Sequence, residues 1–248
     1  MAVLTRHCGR KSCQTAFICI RNSSFVRIFQ SKHLVPLGQT KMIKAILFDM
    51  DGVLIDAKDW HYEALNRALG HFGFMISRES HLSTFDGLPT RAKLKMLSKS
   101  RGLPVGLHDF LNALKQNYTL EFSNMRCKPV FNHQYALTRL KADGYLTAVC
   151  SNSVRQSVEE MMRLSDLKGH LDLLMSNEDV TNGKPDPEMY VVAMERLSVR
   201  PEECLILEDN DHGIEAAIAS GGHLMKIGVP DDVTYRAIKA RIHDIDGR

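Results

Sequence analysis

The chain has 248 residues, 44% hydrophobic and 25% charged, enough for one sizeable core or a core with a small added domain. Its net charge of +3 is unevenly spread: residues 1–41 hold seven Lys or Arg and no Asp or Glu, so residues 42–248 carry 25 basic and 29 acidic side chains, a net of −4. A mildly acidic body argues against a nucleic-acid partner, which needs a basic stripe on the folded part. The apolar stretch Thr15–Ile20 is too short to span a bilayer, so no membrane partner is expected either.

In chain order, residues 1–41 come first and read as an N-terminal extension outside the fold. Arg- and Ser-containing and free of acids, the segment suits a mitochondrial transit peptide. The rival reading is a mis-set start, because Met42 opens a natural first strand; either way the mature polypeptide is expected to begin near Met42. Six cysteines, at 8, 13, 19, 127, 150 and 204, form no CxxC pair, so no zinc or thioredoxin-type site is expected. Cys150 and Cys204 read as buried thiols, and a reducing compartment accounts for them. The expected location is the cytoplasm, or the mitochondrial matrix if the extension is a transit peptide.

Residues 43–48 form the first predicted strand, and the chain then reads Phe48-Asp49-Met50-Asp51-Gly52-Val53-Leu54. Two acids directly after an apolar run of strand length fall at the strand's carboxyl end, the edge where open α/β sheets bind ligands. Holding two carboxylates there is costly without a cation, a proton or a substrate. Residues 59–72 carry Trp60, Ala64, Leu65, Ala68, Leu69 and Phe72 at helical spacing. Helices follow over 90–101 and 107–124, split by Gly102-Leu103-Pro104, and no strand signal falls between 59 and 128.

From residue 132 strands and helices alternate. The pattern predicts helix 132–142, strand 145–150, helix 153–164, strand 171–175, helix 187–197, strand 204–208, helix 212–220 and strand 223–227. Such alternation implies a parallel sheet covered on both faces. Its strands end on chemistry: Ser151-Asn152-Ser153 after the second, and Glu208-Asp209-Asn210-Asp211 after the fourth. Gly183-Lys184-Pro185-Asp186-Pro187 lies between them.

Asp49-Met50-Asp51, Ser151, Lys184 and Glu208-Asp209, in this order over about residues 42–230, resemble the haloacid dehalogenase superfamily of aspartate-nucleophile phosphotransferases. The resemblance implies a doubly wound α/β core, residues 42–58 and 129–248, with an inserted α-helical cap, residues 59–128. It implies Asp49 as nucleophile and Asp51 as general acid and base. The second acid excludes the dehalogenase branch, which lacks it. A carboxylate about 4 Å from one phosphate charge is repelled by roughly 4 kcal/mol at an effective dielectric of 20, so a divalent cation, Mg²⁺, is expected. Its expected ligands are the Asp49 side chain, the Asp51 backbone carbonyl, Glu208 and Asp209, with Asp209 the more direct of the last two. Asn210 and Asp211 are at most supporting residues. Lys184, biased away from helix by the proline after it, is placed to bridge Asp49 and the phosphoryl oxygens. Ser151 donates its hydroxyl and Asn152 its backbone N–H to the phosphoryl group. Ser151 is also a candidate cap for helix 153–164.

Substrate choice is expected in the cap. His61 resembles a cap histidine of beta-phosphoglucomutase and its relatives. Gly87-Leu88-Pro89-Thr90-Arg91 resembles their specificity loop, with Arg91 as a second-phosphate or sugar contact. Lys115 is a further cap cation whose register against that pattern is one residue off. The leading reading is a Mg²⁺-dependent phosphatase acting on a small, sugar-like phosphomonoester. A beta-phosphoglucomutase-type mutase is the alternative, and Ala57, where the mutase pattern has threonine, counts against it. A non-catalytic binding module is the third reading, disfavoured because every catalytic residue type is present. Monomer is compatible with all three, and the oligomeric state is left open.

Overall fold

The computed structural model describes residues 42–85 and 87–247; the expectations for residues 1–41 fall outside that range. Five strands, β1 (Ala45–Phe48), β2 (Leu146–Cys150), β3 (Leu173–Met175), β4 (Cys204–Glu208) and β5 (His223–Lys226), form one sheet in the order β3-β2-β1-β4-β5. Every pairing is parallel. All four residues of β1 and all five of β4 are buried, so these strands are continuous apolar runs rather than alternating ones, as a sheet covered on both faces requires. The chain leaves β1 toward β2 and β3, then returns to its other side for β4 and β5. The strand order therefore reverses at β1, which puts the ligand crevice of such sheets at the carboxyl ends of β1 and β4.

Nine α-helices are described: α1 (Lys58–Gly70), α2 (Arg78–Ser80), α3 (Thr90–Arg101), α4 (His108–Arg126), α5 (Phe131–Ala142), α6 (Arg155–Leu164), α7 (Glu188–Leu197), α8 (Asp211–Ala219) and α9 (Tyr235–Asp246). Alternate strand residues face opposite layers. Ile46, Phe48, Val149, Leu205 and Leu207 pack with α5, α6 and α9, whereas Leu47, Ala148, Cys150 and Ile206 pack with α7 and α8. A third cluster lies entirely within residues 62–118: Leu65 and Leu69 of α1, Leu94 and Leu97 of α3 and Leu111 of α4 bury one another. The helices after β1 thus have a core of their own.

Two expectations need correction. Helix α6 begins at Arg155 with Val154 as its N-cap, so Ser151 does not cap it; Ser151 Oγ instead accepts from Ser153 N–H at 3.0 Å, folding residues 151–153 into a turn. Helix α9 was not anticipated, although Ile238, Ile242 and Ile245 give it a buried stripe at helical spacing. No helix among the described residues is long and apolar enough to cross a membrane.

Candidate active site

Asp49 leaves the end of β1 with its N–H bonded to Leu207 C=O on β4 at 3.0 Å, so the sheet ladder continues to this residue. Lys184 enters from the segment between β3 and α7. Its Nζ donates to Asp49 Oδ1 at 2.6 Å, Glu208 Oε1 at 2.5 Å and Cys150 C=O at 2.8 Å. Three donors meet three acceptors, so the buried ammonium is fully satisfied. Tyr190, on α7, donates its hydroxyl to Glu208 Oε1 at 2.6 Å and sets its ring 4.8 Å from the Lys184 ammonium. Burial and the Glu208 charge push the Tyr190 phenol well above its ordinary range, so it remains a donor.

Asp49, Glu208 and Asp209 offer carboxylate oxygens within 4.8 Å of one another. Burial and then the Glu208 charge raise the Asp49 carboxyl well above its usual range, against the pull of Lys184. The cluster carries more negative charge than Lys184 alone offsets. An all-oxygen set of this kind suits a hard divalent cation. The approach is made possible at Gly52, whose φ of +95° favours glycine and where a Cβ would run into the Asp209 carboxylate. Lys58, in the first turn of α1, sets its Nζ 2.5 Å from Asp209 Oδ2, and the Asp209 side chain is 1% exposed.

Asp51 faces the other way. Its Oδ1 lies 3.1 Å from His61 Nε2, and its Oδ2 accepts from the Ser153 hydroxyl at 3.2 Å. His61 Nδ1 lies 3.1 Å from Lys115 Nζ. An ammonium only donates, so Nδ1 is the acceptor and Nε2 carries the proton, facing Asp51 Oδ1 in a close contact that falls short of hydrogen-bond geometry. Burial holds His61 below its ordinary range, despite the opposing pull of Asp51. Burial would raise Asp51, but the neighbouring His61 and Lys115 and the Ser153 hydroxyl outweigh it and hold the carboxyl below its usual range. Lys115 is pulled down to about 8 by burial and by the neighbouring Lys93.

The two acids open onto one cleft of about 360 Å³, closed on the other side by the Gly87–Arg91 loop and by Lys93 and Lys115. Gln116 of α4, in its lining, donates to Ser157 of α6. Asp49, Asp51, Ser151, Asn152, Lys184, His61 and Arg91 all line this cleft. Glu208 and Asp209 do not line it; they stand behind Asp49, within 4.8 Å of its carboxylate, with Glu208 fully buried. Arg91 sits at the mouth with its side chain 70% exposed and its guanidinium 3.2 Å from Asp109. Lys115 points inward despite its off-register position. Asn152 uses its side chain as well as its place in the loop, bonding the backbone of Lys184. Lys58, Lys93, Ser153 and Tyr190 were missed. Tyr190 reads as ordinary core at helical spacing, and nothing local to Lys58 or Ser153 marks an acid partner.

An acid at a central strand end, a lysine locked onto it and a second acid turned toward the helices after β1 share one cleft at the sheet's carboxyl edge. The haloacid dehalogenase-like hydrolase family profile matches residues 46–227. The chain belongs to this family, and with its relatives it is an enzyme of the phosphatase type. It is 31% identical to a phosphorylated carbohydrates phosphatase of Thermotoga maritima, over 72% of this chain and 82% of that protein. It is 28% identical to a phosphoglycolate phosphatase of Aquifex aeolicus over the same shares. A solved beta-phosphoglucomutase structure from Clostridium difficile superposes with a TM-score of 0.72 at 19% identity, covering 84% of this chain and 100% of that one, and shares its fold.

Proposed function

We propose that this chain is a Mg²⁺-dependent phosphatase that hydrolyses a small, sugar-like phosphomonoester through an aspartyl-phosphate. The observation that carries the reading is the split between the two acids: Asp49 is locked by Lys184, and Asp51, two residues on, is turned to His61 and Ser153. One carboxylate is held still for attack, and the other sits in a proton-bearing network.

Asp49 attacks phosphorus in line and takes the phosphoryl group. Asp51, ionised at rest, first takes up a proton from solvent when the substrate's negative charge enters the cleft; it then protonates the departing oxygen and recovers a proton from the water that cleaves the aspartyl-phosphate. Lys184 keeps Asp49 aimed and offers charge to the phosphoryl oxygens. The Ser151 hydroxyl and Asn152 N–H supply further donors where charge develops. Asp49, Glu208, Asp209 and the Asp51 carbonyl are the residues that would hold Mg²⁺. When bound, the ion neutralises phosphoryl charge that the carboxylates would otherwise repel. Residues 59–128 act as the cap, with His61 and Arg91 facing the substrate. The Thermotoga maritima relative's name supports a phosphorylated carbohydrate as substrate.

The mutase reading is favoured by one observation, the Asp51–His61–Lys115 chain, which ties the acid to the cap. Phosphate release from a panel of sugar, polyol and nucleotide phosphates, with Asp49→Asn as blank, tests both. Metal-dependent release abolished in the variant supports the phosphatase. Conversion of beta-glucose 1-phosphate to the 6-phosphate without release supports the mutase. Turnover retained by a folded Asp49→Asn protein refutes the nucleophile assignment.

A further inference from the structure

Lys184 is the cation on which the nucleophile depends, yet its backbone lies in residues 176–187, a stretch between β3 and α7 with no helix or strand. Both backbone groups of Lys184 are taken up by one side chain. Asn152 Oδ1 accepts from Lys184 N–H at 2.9 Å, and Asn152 Nδ2 donates to Lys184 C=O at 3.1 Å. The carboxamide thus does for this residue what a neighbouring strand does in a ladder: it fixes N–H and C=O together, and with them the direction of the side chain.

Two further features fit that purpose. A Cβ on Gly183 would fall 2.7 Å from Asn152 Oδ1, so only glycine lets the amide lie this close to the segment. The Asn152 Nδ2 also donates to Gly87 C=O of the cap loop at 3.4 Å, which fixes the plane of the amide from its other side. Asn152 itself lies two residues past the end of β2, in the turn that Ser151 Oγ closes with Ser153 N–H.

We propose that Asn152 is a positioning residue, whose carboxamide holds Lys184 in register with Asp49. Its backbone N–H remains available to the phosphoryl group, so the side chain carries a separate task. A misplacement of about 1 Å in such a group costs on the order of 100-fold in rate.

The inference rests on the phosphatase reading, and the test separates the two. Initial rates with an aryl phosphate and Mg²⁺ are compared for wild type, Asn152→Ala, Lys184→Arg and the double variant. Asn152→Ala is expected to lower kcat about 10- to 100-fold, with KM nearly unchanged. Because an arginine head is already displaced from Asp49, adding Asn152→Ala to Lys184→Arg is expected to cost little more. Losses that multiply would assign Asn152 a role independent of Lys184 and overturn the proposal. Gly183→Ala, which pushes on an intact Asn152, guards against misfolding of the first variant. It should lower kcat in the same direction, and a wild-type kcat would overturn the proposal equally. No turnover by wild type would remove the phosphatase reading and this inference with it.

Discussion

Lys184→Met tests whether the buried ammonium, rather than packing around it, holds the centre together. Methionine matches the length and apolar body of lysine, so the change removes charge and three N–H donors with little change of volume. Asp49 and Glu208 then confront each other with carboxylate oxygens within 4.8 Å, Glu208 fully buried and Asp49 5% exposed. Two unit charges at that distance would repel by roughly 3.5 kcal/mol at an effective dielectric of 20, an upper bound because Asp49, already raised by burial and Glu208, can take up a proton instead. Breaking one side of a buried ion pair costs about 3–5 kcal/mol in comparable settings. A loss of about 3–5 kcal/mol is therefore expected in urea unfolding followed by circular dichroism, in EDTA to exclude divalent cations. Lys184→Met combined with Glu208→Gln removes the repulsion and should recover at least about 1 kcal/mol of that loss. A single variant within about 1 kcal/mol of wild type, or a double variant no more stable than the single, would refute the electrostatic account.

The Asp49–Glu208–Asp209 carboxylate group gives a second expectation. Lys58 sits on Asp209, and an entering cation must displace it, so Lys58→Met should tighten Mg²⁺ binding about fivefold, from the roughly 1 kcal/mol such a partly exposed pair contributes. Calorimetric titration with Mg²⁺ reads this, and weaker binding would contradict it. Tyr190→Phe leaves Glu208 Oε1 without its phenol donor. It should destabilise the protein by about 1–2 kcal/mol in the same urea assay, and an unchanged midpoint would mean the bond contributes nothing net. Arg91→Ala should raise KM for a sugar phosphate far more than for a minimal aryl phosphate. Equal changes on both would place Arg91 in the Asp109 pair alone.

Much of the architecture was readable along the chain because hydrophobic periodicity is a local signal. The predicted strand 204–208 coincides with β4, and helix 90–101 coincides with α3. Strand ends were readable too, since each apolar run stops where a polar side chain begins, and this is how Asp49, Ser151 and Glu208 were found together at one edge. Boundaries failed where side chains competed with the helix, as in the turn over Ser151–Ser153 that delays α6.

The choice of partners was decided only by the tertiary structure. Lys184 is 135 residues from Asp49, and Ser153 is 102 from Asp51. Nothing in sequence spacing tells Lys58 to meet Asp209, Tyr190 to meet Glu208 or Asn152 to bracket Lys184. These pairs follow from the sheet order β3-β2-β1-β4-β5, which sets β2 and β4 on either side of β1 and brings their loops to one crevice. The sequence determined which residues could carry charge and where each strand would end. Pairing those charges needed the fold, because ion pairs and hydrogen bonds act over a few ångströms of space, whatever the length of chain between their partners.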